Sequence, residues 1–284
     1  MYVTTSIDDV RQHVKSARSA GKRIGCVPTM GALHEGHVSL VRECQRFCEF
    51  VCVTIFVNPA QFAPNEDLAR YPRPIEADLH ACREAGVSLV FMPDNDELYP
   101  PGFQTWVTVN EITQPLEGAH RPTHFRGVTT VVAKLLNIVL PDVACFGAKD
   151  YQQQATIRRM VRDLDMPVEI VVCPIIRESD GLAMSSRNVY LSPEERQAAL
   201  SLSTALKLAA SRFSRGETDI PAVEQAMIQL MQQHPEVQVQ YAVIVDPETL
   251  QKLTAPQQHM VGLIAAQVGK TRLIDNREFL LPKN

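Results

Sequence analysis

Short apolar runs rich in β-branched residues alternate with amphipathic patterns through the first two thirds of the chain, and this alternation limits the possible folds most strongly. The run FVCVTIFV at 50–57 is apolar almost throughout, which is typical of a strand covered on both faces. RIGCV, VSLVFMP, DVACFG and VEIVVCP indicate further strands, and stretches such as HVSLVRECQRFCE and YQQQATIRRMVRDL indicate helices between them. This order predicts an α/β fold, with a parallel sheet that carries helices on both faces.

The pattern changes near the end of the second third of the chain. SPEERQAALSLSTALKLAASRF starts with a serine cap followed by proline, as helices often do, and DIPAVEQAMIQLMQQH indicates a second helix. VQVQYAVIVD, HMVGLIAAQVG and TRLIDN resemble antiparallel strands. We therefore predict one domain over 1–183 and a smaller α+β domain over 184–284.

Composition argues against several classes of partner. The net charge of the 284 residues is −4, so no overall field attracts nucleic acid or a membrane surface. No apolar run reaches the roughly 18 residues of a membrane-spanning helix, and MYVTTSIDDV lacks the order of a signal peptide. The seven scattered cysteines form no CxxC pair and indicate reduced, buried thiols. We expect a cytoplasmic protein with no nucleic-acid or membrane partner.

Ligands of parallel sheets bind beyond the carboxyl ends of the strands, which directs attention to the loops over 28–37, 58–61, 147–153 and 176–187. In the first of them, His34 and His37 lie three residues apart at the start of a predicted helix. Their side chains can therefore point the same way, at a helix end where main-chain N–H groups favour phosphate.

Three other interpretations of the HxxH pattern compete with phosphate binding. The two histidines could cap a turn and serve structure alone. A zincin site needs HExxH, and this spacing is one residue short. A phosphate-binding Walker A loop needs the ending GK[ST], which is missing here. The pattern by itself does not decide among a cap, a metal site and a phosphate site.

The HxxH segment and the motifs that follow it along the chain resemble those of a known protein family. PTMGALHEGH, FVNPAQF, HFRGV, FGAKDYQQ and MSSRN occur in the order and spacing of the pantothenate synthetase family, over essentially the whole chain. That family belongs to the HxGH nucleotidyltransferases. The resemblance implies a Rossmann-like domain with a small C-terminal lid, a homodimer, and the co-substrate ATP with Mg²⁺. It also implies a reaction in which ATP and pantoate form pantoyl adenylate, which β-alanine converts to pantothenate.

The resemblance assigns residues to ATP. His34, His37 and Lys149 would be catalytic, the histidines at the α-phosphate. The expected ATP contacts are Met30, Gly31, Ala32, Leu33, His34, Glu35, Gly36, His37, Gly147, Ala148, Lys149, Asp150, Ile176, Met184, Ser185, Ser186 and Arg187. Ile176 would contact adenine through its main chain, and Met184–Arg187 correspond to the KMSKS loop of related synthetases. The family often has a proton donor at His37, but we favour charge stabilisation because a carboxylate nucleophile has no proton to lose.

The resemblance also assigns residues to the other substrates. Asn58, Gln61, Gln153, Arg121 and His124 would contact pantoate or β-alanine, although Asn58 could equally stabilise an Asn-Pro turn. Asp78 would hold Mg²⁺ through water, or be a solvated helical carboxylate. Two positions depart from the family: Ala148 and Ala77 replace residues that usually carry functional side chains.

Other functions stay open at this level. A related nucleotidyltransferase would need a cationic site for an acceptor phosphate, whereas this chain offers Asn58, Gln61 and Gln153. A class I tRNA synthetase would need a basic RNA-binding extension. A nucleotide-sensing module on the same fold would bind ATP without exchanging its pyrophosphate.

Overall fold

The computed structural model describes residues 1–64 and 66–281. These residues form two compact units. The first comprises Met1–Ala148 and Gln152–Pro174, and the second comprises Lys149–Tyr151 and the chain from Ile175 onward. The main division falls between 174 and 175, whereas the sequence places the domain boundary at 183/184, and the last three residues of the expected 184–284 domain lie outside the described residues.

The first unit contains a six-stranded parallel sheet of order β1-β4-β3-β2-β5-β6. Its strands are β1 (Tyr2–Thr4), β2 (Ile24–Thr29), β3 (Phe50–Ile55), β4 (Leu89–Phe91), β5 (Val143–Gly147) and β6 (Glu169–Cys173). The strand order reverses between β2 and β5, which pair through Gly25 with Val143 and Cys26 with Ala144. Such a reversal opens a crevice at the carboxyl ends of the two strands. The segments that begin at 30 and at 148 follow these two strands.

Helices cover both faces of this sheet, as the sequence predicts. The helices in this part of the chain are α1 (Ile7–Ser19), α2 (Glu35–Gln45), α3 (Ile75–Glu84), α4 (Asn95–Leu98), α5 (Glu117–His120), α6 (His124–Val139) and α7 (Tyr151–Asp163). Successive strand residues alternate between two cores. Phe50 and Cys52 pack in the core with α1, α6 and α7. Val51 and Val53 pack in the core with α2 and α3.

The second unit has its own core beneath a three-stranded antiparallel sheet of order β7-β8-β9. Its elements are α8 (Pro193–Ser214), α9 (Ile220–Met231), β7 (Val237–Val245), β8 (His259–Val268) and β9 (Thr271–Leu280). Ser192 caps α8 and forms a reciprocal capping box with Glu195. The predicted fold class, a Rossmann-like sheet with a small C-terminal α+β domain, is confirmed.

Details at the ends of elements differ from the sequence prediction. The edge strand β1 was not expected, because its exposed residues show no alternation and its place depends on pairing with β4. Helix α2 ends at Gln45, four residues before the predicted end of its pattern. Within residues 1–64 and 66–281, every helix is too short or too polar to cross a bilayer.

Candidate active site

The two histidines of the HxxH motif cap helix α2. His34 is the N-cap residue, and its Nδ1 accepts a hydrogen bond from the Gly36 N–H at 3.1 Å. His37 Nδ1 accepts from the His34 N–H at 3.3 Å, which completes a capping box made of two imidazoles. The ring centroids lie 4.2 Å apart, so both rings stand together at the positive end of the helix.

These caps determine which ring nitrogen carries the proton. A main-chain N–H can only donate, so Nδ1 of each ring must act as the acceptor. In a neutral imidazole the proton then resides on Nε2, which becomes a donor. The capping and phosphate-binding interpretations of His34 and His37 are therefore compatible, because they use different nitrogens.

The segment before α2 is held in an uncommon conformation by a buried carboxylate. Gly31 and Ala32 have φ angles of +81° and +50°, in the left-handed region. Asp78, on α3 and 2 % exposed, accepts from the Ala32 N–H at 2.9 Å and the Leu33 N–H at 2.7 Å. Burial raises the pKa of Asp78 above its ordinary value, although these two bonds oppose the shift.

Gly31→Ala is expected to lower the free energy of unfolding by about 1–3 kcal/mol, because a Cβ there is strained at φ +81°. It would also lie 2.9 Å from Asp78 Oδ2 and 3.1 Å from Ile55 Cγ2. Gly147→Ala is the matched control, since its Cβ would meet no protein atom within 4 Å. Urea denaturation measures both, and equal stability of the two variants would contradict the strain argument.

Asp78 does not fit the expected role of a magnesium ligand. Mg²⁺ keeps several waters and approaches carboxylates that solvent can reach. Both Asp78 oxygens are instead engaged by main-chain N–H groups in an environment almost closed to solvent. Across residues 1–64 and 66–281, no group of three or more His, Cys, Asp or Glu side chains is arranged to hold a metal ion. We therefore derive no step through a protein-bound metal.

The predicted substrate residue Gln61 lies at the centre of a hydrogen-bonded group in the first unit. Its Nε2 donates to Met30 Sδ at 2.8 Å, and its Oε1 accepts from Asn58 Nδ2 at 3.1 Å. Its carbonyl oxygen contacts His124 Nδ1 at 2.9 Å and accepts from Arg121 Nη2 at 3.4 Å. The structure therefore brings together five residues that the sequence singles out from three separate segments.

Asn58 is fully engaged by the protein. Its Oδ1 accepts from the Ala60 N–H at 3.2 Å and from Tyr99 Oη at 2.9 Å. Its Nδ2 donates to Gln61 and to the Gly127 carbonyl, each at 3.1 Å. With 1 % exposure and both amide atoms paired, Asn58 is positioned to hold the 58–61 turn. This geometry favours the structural interpretation of Asn58.

Arg121 and His124 support Gln61 from its main-chain side. Arg121 Nε and Nη2 donate to the two carboxylate oxygens of Glu66 at 2.6 and 2.5 Å, and Nη1 lies 3.1 Å from His124 Nε2. Because an arginine only donates and a carbonyl only accepts, His124 carries its proton on Nδ1. Burial alone would raise the pKa of Glu66, but the bonds and charge of Arg121 outweigh it and lower that pKa.

Stability is expected to depend on His124 in acid. Burial, and then the charge of Arg121, lower the pKa of His124 to about 4. An unfolded histidine has a pKa of about 6.5, so the unfolded chain alone gains a proton as pH falls below that value. The contribution of His124 is complete above pH 6.5 or so, and about 3 kcal/mol is lost as pH falls towards 4.

The variant His124→Gln keeps a donor and an acceptor but does not titrate in this range. Chemical denaturation between pH 7 and 4 should show a smaller fall in stability for His124→Gln than for the wild type. His80→Gln, at an exposed position, is the matched control. Parallel pH profiles for wild type and His124→Gln would show that His124 is not the titrating group.

The second predicted nucleotide corner lies at the end of β5. Gly147 ends the strand, and the Ala148 N–H donates to the Cys173 carbonyl at 2.8 Å, which extends the pairing with β6. Open space around the Gly147 Cα leaves room for close approach by a ligand. Gln153 is half-buried near the start of α7, whereas its neighbour Gln152 is buried and bonds to the 112–117 segment.

The remaining predicted ATP residues belong to the second unit. A tight hairpin joins two of their segments, because the Met184 N–H donates to the Ile176 carbonyl at 3.0 Å and Arg177 pairs with Ala183. Ser185 caps the short 3₁₀ helix Ser186–Tyr190, and its hydroxyl accepts from the Arg187 N–H at 3.2 Å. Lys149 is half-buried and Asp150 is exposed before α7.

The chain resembles known proteins over nearly its whole length. The family model described as pantoate–beta-alanine ligase matches residues 2–278. The chain belongs to the pantoate–beta-alanine ligase family. It is a carbon–nitrogen bond-forming ligase by that membership. A pantothenate synthetase of Thermoanaerobacter sp. (strain X514) is 53% identical over 276 residues, which cover 97% of this chain and 98% of that protein. A pantothenate synthetase of Geobacter sulfurreducens is 49% identical over the same shares.

Solved structures of pantoate–beta-alanine ligases share the fold. Pantothenate synthetase from Thermus thermophilus superposes with a TM-score of 0.93 at 45% identity and covers 98% of this chain and 99% of that one. Pantoate-beta-alanine ligase from Francisella tularensis, complexed with beta-gamma ATP and beta-alanine, gives 0.80 at 34% identity. It covers 99% of this chain and 97% of that chain.

Within each unit of this ligase, several residues that no sequence pattern indicates hold the predicted site residues in place. Tyr99 fixes Asn58, and burial raises the pKa of Tyr99 to about 12, so its hydroxyl is a neutral donor. Glu66 fixes Arg121, and Arg177 braces the 176–184 hairpin. None of these residues belongs to a local pattern, because each acts on a partner that is distant in the chain or in an irregular loop.

Proposed function

We propose that this chain condenses pantoate with β-alanine at the expense of ATP, through pantoyl adenylate. In the first step a pantoate carboxylate oxygen attacks the α-phosphorus, and pyrophosphate leaves. In the second step the β-alanine nitrogen attacks the acyl carbon, loses a proton, and displaces AMP. The observation that carries this proposal is the pair of capped imidazoles, whose Nε2 donors stand at the N-terminus of an 11-residue helix beside the reversal in strand order.

The first step builds negative charge on the phosphoryl oxygens, and fixed donors stabilise it. His34 and His37 are suited to the α-phosphate because their caps fix both tautomers before any ligand binds. We assign the main chain of 30–37 and 147–150 to the nucleotide. Lys149, Ser185, Ser186 and Arg187 of the second unit supply hydroxyl and cationic donors for the β- and γ-phosphates.

Gln61 is our leading candidate for the contact with pantoate. Its Nε2 donates to the sulfur of Met30, which is a weak acceptor. A pantoate oxygen is a stronger acceptor, so exchanging the bond to sulfur for a bond to pantoate favours binding. Gln153 is assigned as a second amide contact. Asn58, Arg121 and His124 then act by holding Gln61, since their polar atoms already have protein partners.

The second step requires a neutral amine on β-alanine. His124 is unsuited to be its base because both ring nitrogens are engaged, and burial lowers its pKa to about 4. We attribute the rate acceleration of the second step to the orientation of the amine beside the activated acyl adenylate. The 184–284 segment is proposed as a lid that protects the adenylate from hydrolysis.

Pantoate-dependent exchange of labelled pyrophosphate into ATP tests this function. Exchange that requires pantoate, followed by pantothenate release on addition of β-alanine, is the expected result. ATP binding without exchange would favour a nucleotide sensor. Exchange that requires a phosphorylated acceptor would favour another nucleotidyltransferase.

We also propose that the reaction requires Mg²⁺, that the protein is a homodimer and that it is located in the cytoplasm. The dependence of exchange on Mg²⁺ would check the metal, which we expect to accompany the nucleotide phosphates rather than Asp78. Sedimentation equilibrium would check the homodimer. Cell fractionation would check the cytoplasmic location.

A further inference from the structure

Strand β9 carries two adjacent polar residues, Asp275 and Asn276, that are both buried. Each is 4% exposed. Successive strand residues point to opposite faces, and both residue types are depleted in strands. Two such neighbours buried together are costly unless each has good hydrogen-bond partners. The hydrogen-bond partners of Asp275 and Asn276 therefore indicate why β9 contains these two residues.

Asp275 holds the hairpin that carries the predicted adenine and phosphate contacts. Arg177 Nη1 and Nη2 donate to the two Asp275 oxygens at 2.7 and 2.9 Å, which is a bidentate, charge-assisted pair. Nη1 also donates to the Gly181 carbonyl at 3.1 Å. The Arg177 guanidinium thus ties β9 to the first side of the hairpin and to Gly181 within the turn that joins Ile176 to Met184.

Asn276 holds the main chain of the predicted phosphate-binding lysine. Its Nδ2 donates to the Lys149 carbonyl oxygen at 2.7 Å. The Asn276 N–H in turn donates to Asp275 Oδ1 at 2.7 Å, so the two residues are themselves connected. One dipeptide on a single strand therefore contacts both nucleotide segments of the second unit.

We propose that Asp275 and Asn276 are positioning residues that set the spacing between Lys149 and the 176–187 segment for the phosphates of ATP. Neither residue is assigned a contact with the nucleotide. This inference rests on the proposed function to the extent that these two segments bind ATP. A small error in the placement of such groups is sufficient to reduce the rate about a hundredfold.

The test compares Asp275→Asn and Asn276→Asp with wild type. Both changes preserve size; the first removes the negative charge, and the second replaces the amide donor with an acceptor that faces a carbonyl oxygen. Arg277→Gln, the exposed next residue of β9, is the matched control. Calorimetric titration with β,γ-imido-ATP, thermal melting, and single-turnover conversion of supplied pantoyl adenylate are measured on each full-length protein.

We expect each variant to bind β,γ-imido-ATP about tenfold or more weakly. Supplied adenylate lacks the β- and γ-phosphates, and at a saturating concentration, which offsets any weaker contact with adenine, its conversion with β-alanine should keep the wild-type rate. Arg277→Gln should match wild type in both. Unchanged nucleotide affinity in folded variants would overturn the inference. An equal loss of stability, affinity and adenylate conversion would also overturn it, because it would assign the two residues a purely structural role.

The test also covers an unstable variant and a wild type that lacks exchange or nucleotide binding. If Asn276→Asp melts below the assay temperature, Asn276→Ser, which retains a donor but shortens its reach, replaces it under the same criteria. If wild type binds β,γ-imido-ATP but shows no pantoate-dependent exchange, the proposed function fails, and the affinity comparison still decides the positioning role. If wild type does not bind the nucleotide, both proposals fail.

Discussion

Replacing His37 with alanine is expected to slow pantoate-dependent pyrophosphate exchange roughly a hundredfold to a thousandfold while the protein stays folded. The variant loses an Nε2 donor where charge builds on the α-phosphate. It also loses the Nδ1 cap on the His34 N–H, which costs about 1 kcal/mol of stability, too little to unfold a domain of this size. Exchange rates at saturating ATP and pantoate, together with thermal melting, measure the two losses separately.

His37→Glu separates the two roles of the ring. Glutamate is a preferred residue at this position of a capping box, so its carboxylate restores the cap on the His34 N–H, but it offers no donor to a phosphate. We expect the stability of His37→Glu to approach that of wild type while exchange stays slow. Full exchange in His37→Glu would show that the ring matters only as a cap, and full exchange in folded His37→Ala would remove this residue from the mechanism.

Lys149→Ala is expected to slow the first half-reaction about a hundredfold and to leave the second nearly unchanged. The ammonium group is assigned to the triphosphate, whose pyrophosphate has already left when β-alanine attacks. The contact that holds this segment uses the Lys149 carbonyl, so alanine keeps it. Single-turnover measurements with ATP and pantoate, and separately with supplied pantoyl adenylate and β-alanine, resolve the two steps.

Lys270→Ala is the matched control for charge, because Lys270 is an exposed lysine of the same unit. It should retain both rates. If Lys149→Ala slowed only the β-alanine step, Lys149 would belong to the second half-reaction and our assignment would be wrong. Similar losses in both lysine variants would indicate a general effect of net charge.

The histidine pair illustrates how far residue patterns lead. The HxxH spacing indicates that two imidazoles share one side of a helix end, but it presents capping and phosphate binding as competing explanations. The structure removes the competition, because the caps use Nδ1 of each ring. The sequence shows where a histidine occurs, but it does not show which of the two ring nitrogens forms which hydrogen bond.

The predicted substrate residues illustrate a different limit. The resemblance assigns Asn58, Gln61, Arg121 and His124 to the substrates, and hydrogen bonds join these four residues in one group. Their individual roles depend on which polar atoms the protein already uses. Tyr99, 41 residues from Asn58, takes up one of those atoms, and no local pattern predicts such a partner.

The sequence by itself determined the succession of the main strands and helices, with the exception of the edge strand β1, the burial of the sheet on both faces, and the loops that carry the candidate chemistry. These depend on apolar periodicity and caps, which act over a few residues. Only the tertiary structure decided the pairings across 98 residues from Arg177 to Asp275 and 127 residues from Lys149 to Asn276. Such contacts depend on strand order and on burial of polar groups, which are properties of the assembled sheets and of no single segment.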